Sequence, residues 1–176
     1  MLFRSPLNYP PGVPGHGSCV CELPDGVHIG VINLQGRSFM VPIDCPFRAA
    51  DAELERMHRE GIRVVVIDMH AEATAEKIAL GRHLDGRASA VLGTHTHVQT
   101  ADERIFPGGT AFCTDVGMTG PVDSVIGMDP GAAMLRFMTQ LPVPYRVSES
   151  PSSLNAVLLR INAGSGKATS IVRIAE

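Results

Sequence analysis

The chain has no tryptophan, and aromatic residues of any kind make up only 5% of its 176 residues. A core short of large rings has to be aliphatic, and 44% hydrophobic residues supply enough for one domain spanning 1–176. No apolar run approaches the roughly 20 residues that a membrane helix needs. Residues 1–6 carry neither the apolar stretch nor the small-residue cleavage site of a signal peptide. No membrane association is expected, and the expected location is cytoplasmic. Charge of one sign is lacking as well: 15 Lys and Arg against 18 Asp and Glu leave a net charge of −3, with no basic run. That excludes bulk nucleic-acid binding as an expectation. No serine sits in a G-x-S-x-G elbow, and no cysteine neighbours a histidine, so a covalent nucleophile is not indicated. The cysteines Cys19, Cys21, Cys45 and Cys113 lack zinc-finger spacing and are expected to be reduced and packed as small hydrophobes.

What is present is an alternation of strands and helices. Residues 1–17 are irregular, with Pro6, Pro10, Pro11 and Pro14 among Gly12, Gly15 and Gly17. Residues 18–22 and 27–34 predict a hairpin around Pro24-Asp25-Gly26. Pro46 opens a helix to about residue 60, with Phe47, Ala50, Leu54 and Met57 at helical spacing and Gly61 as its stop. Residues 64–67 form a β-branched run typical of a strand covered on both faces. A helix over 73–84 and a second buried strand over 88–92 follow, giving a right-handed crossover unit. Residues 109–114 predict a strand, and 130–140 a short helix. Residues 145–148, 154–161 and 169–174 predict a closing antiparallel meander. The fold class is α/β with mixed strands.

The chemistry concentrates in Gly93-Thr94-His95-Thr96-His97-Val98-Gln99-Thr100. If the strand over 88–92 continued through His97, its period of two would turn both imidazoles to one side. His70 follows the run 64–67, so two neighbouring strands would deliver histidine at their C-terminal ends, where ligands of parallel sheets gather. His70, His95 and His97 are the candidate metal ligands, imidazole being suited to zinc, manganese or iron. Asp68 and Glu72 flank His70 and are candidates to orient a ligand ring from behind. Thr96, Asp115 and Gly117 are weaker candidates for that supporting role or for a substrate loop. His16, His28, His58 and His83 are read as surface or packing residues.

Several segments in one order carry a resemblance: residues 31–37 (VINLQGR), 68–74 (DMHAEAT), 85–90 (DGRASA), the His95/His97 stretch, and 114–121 (TDVGMTGP). Together they resemble the bacterial YmdB-type calcineurin-like metallophosphoesterases, a 2′,3′-cyclic-nucleotide 2′-phosphodiesterase family distinct from the macrodomain of the same name. The resemblance implies a calcineurin-like metallophosphatase α/β/β/α sandwich, of which this chain matches the C-terminal two-thirds only. It implies two divalent metal ions, iron or manganese, and hydrolysis of cyclic nucleotides or related small phosphodiesters by attack of metal-bound hydroxide. His70, His95 and His97 match family ligands. The family's Gly-Asp-x-x-Gly, Gly-Glu-Asn and Gly-Asn-His segments do not occur here. No catalytic histidine is therefore assigned in this chain, and the resemblance places it upstream of Met1.

Three neutral imidazoles without a bridging carboxylate are expected to hold at most one ion, weakly. The expectation is an N-terminally incomplete phosphodiesterase domain with little activity alone, lacking strands that should flank the centre of the sheet and so exposing apolar edges. Two other readings stay open. One is a non-catalytic metal-binding or regulatory remnant, completed by another chain. The other is a capsule-biosynthesis-type phosphoesterase relative, against which residues 115–120 count. Assembly into a homo-oligomer also stays open.

Overall fold

A computed structural model describes residues 6–176. Met1 and the rest of residues 1–5 lie outside the described residues, and so does the expectation of a catalytic histidine upstream of Met1. The irregular opening is nevertheless tied down from Leu7 onward. Leu7 N–H donates to Asn33 O at 2.8 Å, and buried Asn8 exchanges hydrogen bonds with the Gln35 backbone.

Strands β1 (Ser18–Glu22) and β2 (His28–Gln35) form the expected antiparallel hairpin. Helix α1 (Pro46–Arg59) buries Pro46, Ala50, Leu54 and Met57 along one face. It stops at Gly61, whose φ of 82° is open to a residue without Cβ. Strand β3 (Val64–His70), helix α2 (Thr74–His83) and strand β4 (Ala90–Thr94) complete two crossovers. Then come β5 (Arg104–Ile105), β6 (Ala111–Cys113), β7 (Gly120–Pro121) and α3 (Pro130–Thr139). The chain closes with β8 (Ser152–Ser153), β9 (Asn155–Ile161) and β10 (Ala168–Ala175).

The main sheet has the order β1-β2-β3-β4-β6-β5, with β2, β3, β4 and β6 parallel and an antiparallel strand at each edge. Alternation along β3 decides where the site falls. Val65, Ile67 and Met69 enter the core under α1 and α2, together with Leu54, Met57 and Leu80. Val66 faces the other way, onto Leu159, Ile161 and Ile171 of the β9–β10 hairpin. Asp68 and His70 continue the Val66 face, past the point where that small sheet covers it. The parallel registers then set Gln35, His70 and Thr94 side by side at the C-terminal end of the sheet.

Some expectations are corrected. Residues 145–148 are not a strand: Val147 makes only an isolated bridge to Met128. The closing meander is a two-stranded β9–β10 sheet, because the segment before it pairs β8 with β7 instead. Exposed apolar side chains include a cluster on α3 (Met134, Leu135, Phe137, Met138) and residues 141–147, Leu158 and Val172 on β9 and β10, and Phe39 and Val41 in the loop before α1. Cys113 alone of the cysteines is buried; Cys21 is exposed because β1 is an edge strand. No helix among the described residues is long and apolar enough to cross a membrane.

Gly93 in β4 shows how tightly the sheet is closed beside the site. A Cβ built there would lie 1.7 Å from the carbonyl oxygen of Thr114. Gly93→Ala is therefore expected to cost at least the roughly 1–3 kcal/mol of an overpacked core. Urea unfolding of the variant measures it, with Ala90→Gly in the same strand as the control for a change without a clash.

Candidate metal centre

The strand over 88–92 does not extend through His97. β4 ends at Thr94, and the next residues turn sharply, with φ of 111° at His95 and 66° at His97. Positive φ in a non-glycine residue costs on the order of 1–3 kcal/mol and persists only where the surroundings enforce it. The period-two argument therefore fails, and the two rings part company. His95 turns back to His70: its Nδ1 lies 3.0 Å from His70 Nε2, with the rings near perpendicular at 89°. His97 Nδ1 donates instead to the carbonyl of Ile126 at 3.0 Å. It lines a cavity of about 280 Å³ with Met118, Gly120, Ser124 and Asn155.

Behind His70 stands a relay that sequence reasoning only partly found. Asp68 accepts from Asn33 Nδ2 at 2.8 Å and from the Thr94 hydroxyl at 2.7 Å. That hydroxyl has one proton and gives it to the carboxylate. At its 3.1 Å contact with His70 Nδ1 it must therefore be the acceptor. His70 thus carries its proton on Nδ1 and presents a lone pair on Nε2, toward His95. Burial, with the His95 ring alongside, also lowers the His70 pKa and so favours the neutral ring. A carboxylate that fixes the tautomer of an imidazole is the usual support of a metal ligand. Glu72 Oε2 lies 3.2 Å from His95 Nε2 on the open side.

The spacing of the two nitrogens suits a shared ion. Two nitrogens each about 2.0–2.1 Å from one metal, at angles between octahedral and tetrahedral, are roughly 2.8–3.4 Å apart. The His70–His95 pair falls in the lower half of that range. Among the described residues, no three His, Cys, Asp or Glu side chains are arranged as a ready ligand set. The chain thus brings His70 and His95 together and leaves His97 apart.

The turn between the histidines is held from below by a buried ion pair. Lys77 Nζ lies 3.0 Å from Asp115 Oδ2, and both side chains are almost wholly buried. Asp115 also accepts from Thr96 N and Oγ1, and from Gly117 N. Burial by itself would raise the Asp115 pKa, but these donors and Lys77 outweigh it and lower the pKa. Thr96 and Gly117 therefore serve the loop through Asp115. Gln99 adds a second tie, its Nε2 reaching the carbonyls of Val116, Ala156 and Ile174.

Sequence reasoning missed Lys77, Thr94 and Gln99 as functional candidates. For Lys77 a signal was present: it precedes Leu80, Gly81 and Leu84 on the buried face of α2, where a charge requires a partner. Thr94 and Gln99 carry no such signal, since their roles depend on which strands end beside them.

Comparison with known proteins gives a consistent result. A family model described as YmdB-like protein matches residues 2–174. The 2′,3′-cyclic-nucleotide 2′-phosphodiesterase of Bacillus subtilis (strain 168) is 52% identical over 96% of this chain and 63% of its own length. A crystal structure of a hypothetical protein from Thermus thermophilus matches with a TM-score of 0.90 at 44% identity, over 97% of this chain and 66% of that one. A novel phosphatase from Mycoplasma pneumoniae matches with a TM-score of 0.87 at 33% identity, over 97% of this chain and 62% of that one. The chain spans about three-fifths of the length of the curated relatives it matches.

Proposed function

The chain belongs to the YmdB-like protein family, and on that premise we propose that it serves metal-dependent hydrolysis of small phosphodiesters, with cyclic nucleotides as the substrate class. The supporting observation is the Asp68–Thr94–His70 relay, which leaves the Nε2 lone pair of His70 3.0 Å from His95 Nδ1. A structural histidine needs no such arrangement, whereas a ligand imidazole does. In this reading His70 and His95 hold an ion, and His97 would join them as a further ligand only by turning away from Ile126, to which it is hydrogen-bonded in this structure.

A divalent metal bound there would make water acidic enough to attack at neutral pH and would offset phosphate charge. The chain's own residues set the geometry. Thr94 and Asp68 hold the His70 proton on Nδ1. Glu72 sets a negative charge beside His95 on the solvent side. Asp115, through Thr96, keeps the 95–97 turn in its strained form. Two ions, of iron or manganese, are the proposed complement of the longer family members, and these imidazoles suffice for one.

Manganese titration of this chain, followed by the loss of the free-ion paramagnetic resonance signal, tests the reading. One ion per chain is expected, with affinity at least tenfold weaker in His70→Ala and His95→Ala. Any turnover of 2′,3′-cyclic AMP should need the added ion and vanish in both variants. Binding unchanged by both substitutions, or turnover without metal, would overturn it.

A further inference from the structure

The opposite end of the main sheet carries a second concentration of chemistry. β3 runs from Val64 to His70, so its first residue lies roughly 20 Å from the histidines at strand geometry. At that end a cavity of about 230 Å³ is lined by Arg63, Arg87, Lys167 and His58, with the backbone turns at residues 86–88 and 165–166 between them. Among the described residues, no carboxylate lines it. This is unexpected in a chain whose net charge is −3.

The local ion pairs do not neutralise it. Arg87 is engaged by Asp51 at 2.7 Å, an aspartate that His83 also contacts. Arg63 and Lys167 have no ion pair among the described residues. Helix ends explain only some of the cations at this edge. α1 and α2 both finish here, and His58, Arg59, Arg82 and His83 complement their carbonyl ends. Arg63 and Lys167 belong to neither helix: one leads into β3, and the other sits in the β9–β10 turn.

Their juxtaposition is built by backbone contact between two sheets. Gly166 has a φ of 70°, and a Cβ there would lie 2.2 Å from the carbonyl oxygen of Arg63. Ala168 N–H donates to Gly109 O at 2.9 Å, and the Lys167 stem lies against Gly109. Docking of the hairpin therefore fixes Lys167 beside Arg63, and the 86–88 turn brings Arg87 to the same opening. Side-chain donors remain for a ligand on Arg63, Lys167 and the rest of the Arg87 guanidinium. The backbone N–H groups of Gly86, Gly166 and Lys167 are already taken within the protein.

We propose that this cavity is a binding site for a small phosphorylated anion, separate from the histidine site. An arginine fork and a lysine point charge with no carboxylate partner, Arg63 and Lys167, are the chemistry that recognises a phosphate group, with the unused donors of Arg87 beside them. The small volume fits inorganic phosphate, pyrophosphate or the phosphate end of a mononucleotide better than a whole dinucleotide. Arg63 and Lys167 carry the charge recognition, and Gly166 is the residue without which they would not meet.

Isothermal titration of the full chain in metal-free buffer at constant ionic strength tests this, with pyrophosphate, inorganic phosphate, a nucleoside monophosphate and the bare nucleoside as probes. Pyrophosphate should bind at millimolar concentration or tighter, and the nucleoside should not. A nucleotide tighter than inorganic phosphate identifies the source as nucleotide, and the reverse order identifies free phosphate. The double variant Arg63→Gln/Lys167→Gln should lose tenfold or more in affinity while its thermal midpoint without ligand stays near that of the parent. His70→Ala should bind pyrophosphate within twofold of the parent. Amide resonances of Gly86 and Gly166 should shift on titration in the parent and remain still in the double variant. Absence of pyrophosphate binding, binding that survives the double variant, or binding lost in His70→Ala would each overturn the proposal.

Discussion

Asp115→Ala should destabilise the protein by about 3–5 kcal/mol, the cost of leaving one partner of a buried ion pair without its counter-charge. The magnitude follows from how completely Asp115 is enclosed. Its carboxylate is fully buried and accepts from Lys77, Thr96 and Gly117 at about 3 Å or less. Removing it strands an ammonium and three further donors together. Lys77→Met should cost less, because the carboxylate keeps its contacts with Thr96 and Gly117. Asp115→Asn should fall between the parent and the alanine variant.

Urea unfolding ranks the three, and an alanine variant no worse than Lys77→Met would refute the account. The pH dependence has a definite sign. The Asp115 pKa is lowered on folding. Its stabilisation is therefore complete above the ordinary carboxylate range near about 4, and is lost as pH falls through the lower folded value. The parent should lose stability in that acid window, and Asp115→Asn should show a flatter profile there.

Thr94→Val should weaken metal binding by about 10–100-fold, the usual effect of removing the group that orients a ligand imidazole. Valine keeps the volume and the β-branching of threonine, so β4 should form as before. What disappears is the hydroxyl between Asp68 and His70. His70 Nδ1 loses its acceptor and Asp68 Oδ1 loses a donor, and because both groups are only half-buried the cost in stability falls at or below about 1 kcal/mol. Thr94→Ser restores the hydroxyl and should recover most of the affinity. Calorimetric manganese titration of parent, valine and serine variants checks it. A serine variant as weak as valine would show that Thr94 acts through packing alone.

Much of the scaffold can be read from local pattern. α1 begins at Pro46 and ends just before Gly61, because both residues act through their own backbone restrictions. β3 is visible as Val64–Ile67, since burial on both faces demands a continuous apolar run. The two-residue strands β5, β7 and β8 have no pattern to read, because periodicity needs more than one repeat. Residues 145–148 have strand composition without strand partners. Pairing is decided by neighbours, and the neighbour that β8 finds is β7.

The site divides along the same line. The sequence by itself determines that histidines sit at the ends of β3 and β4, because each follows an apolar run that must be a buried strand. It also carries the run of motifs shared with the YmdB-like family. Only the tertiary structure decides what those histidines do. Register places Thr94 beside His70, and Asp68 beneath both, so that one proton is fixed and one lone pair is freed. The positive φ at His95 and His97 separates two rings that an extended strand would have aligned. The Lys77–Asp115 pair, whose members are 38 residues apart in sequence, holds that turn. Hydrogen bonding and ion pairing act over about 3 Å in space and are indifferent to distance along the chain. Local sequence can therefore supply the ligands, and only the packed strands and helices can aim them.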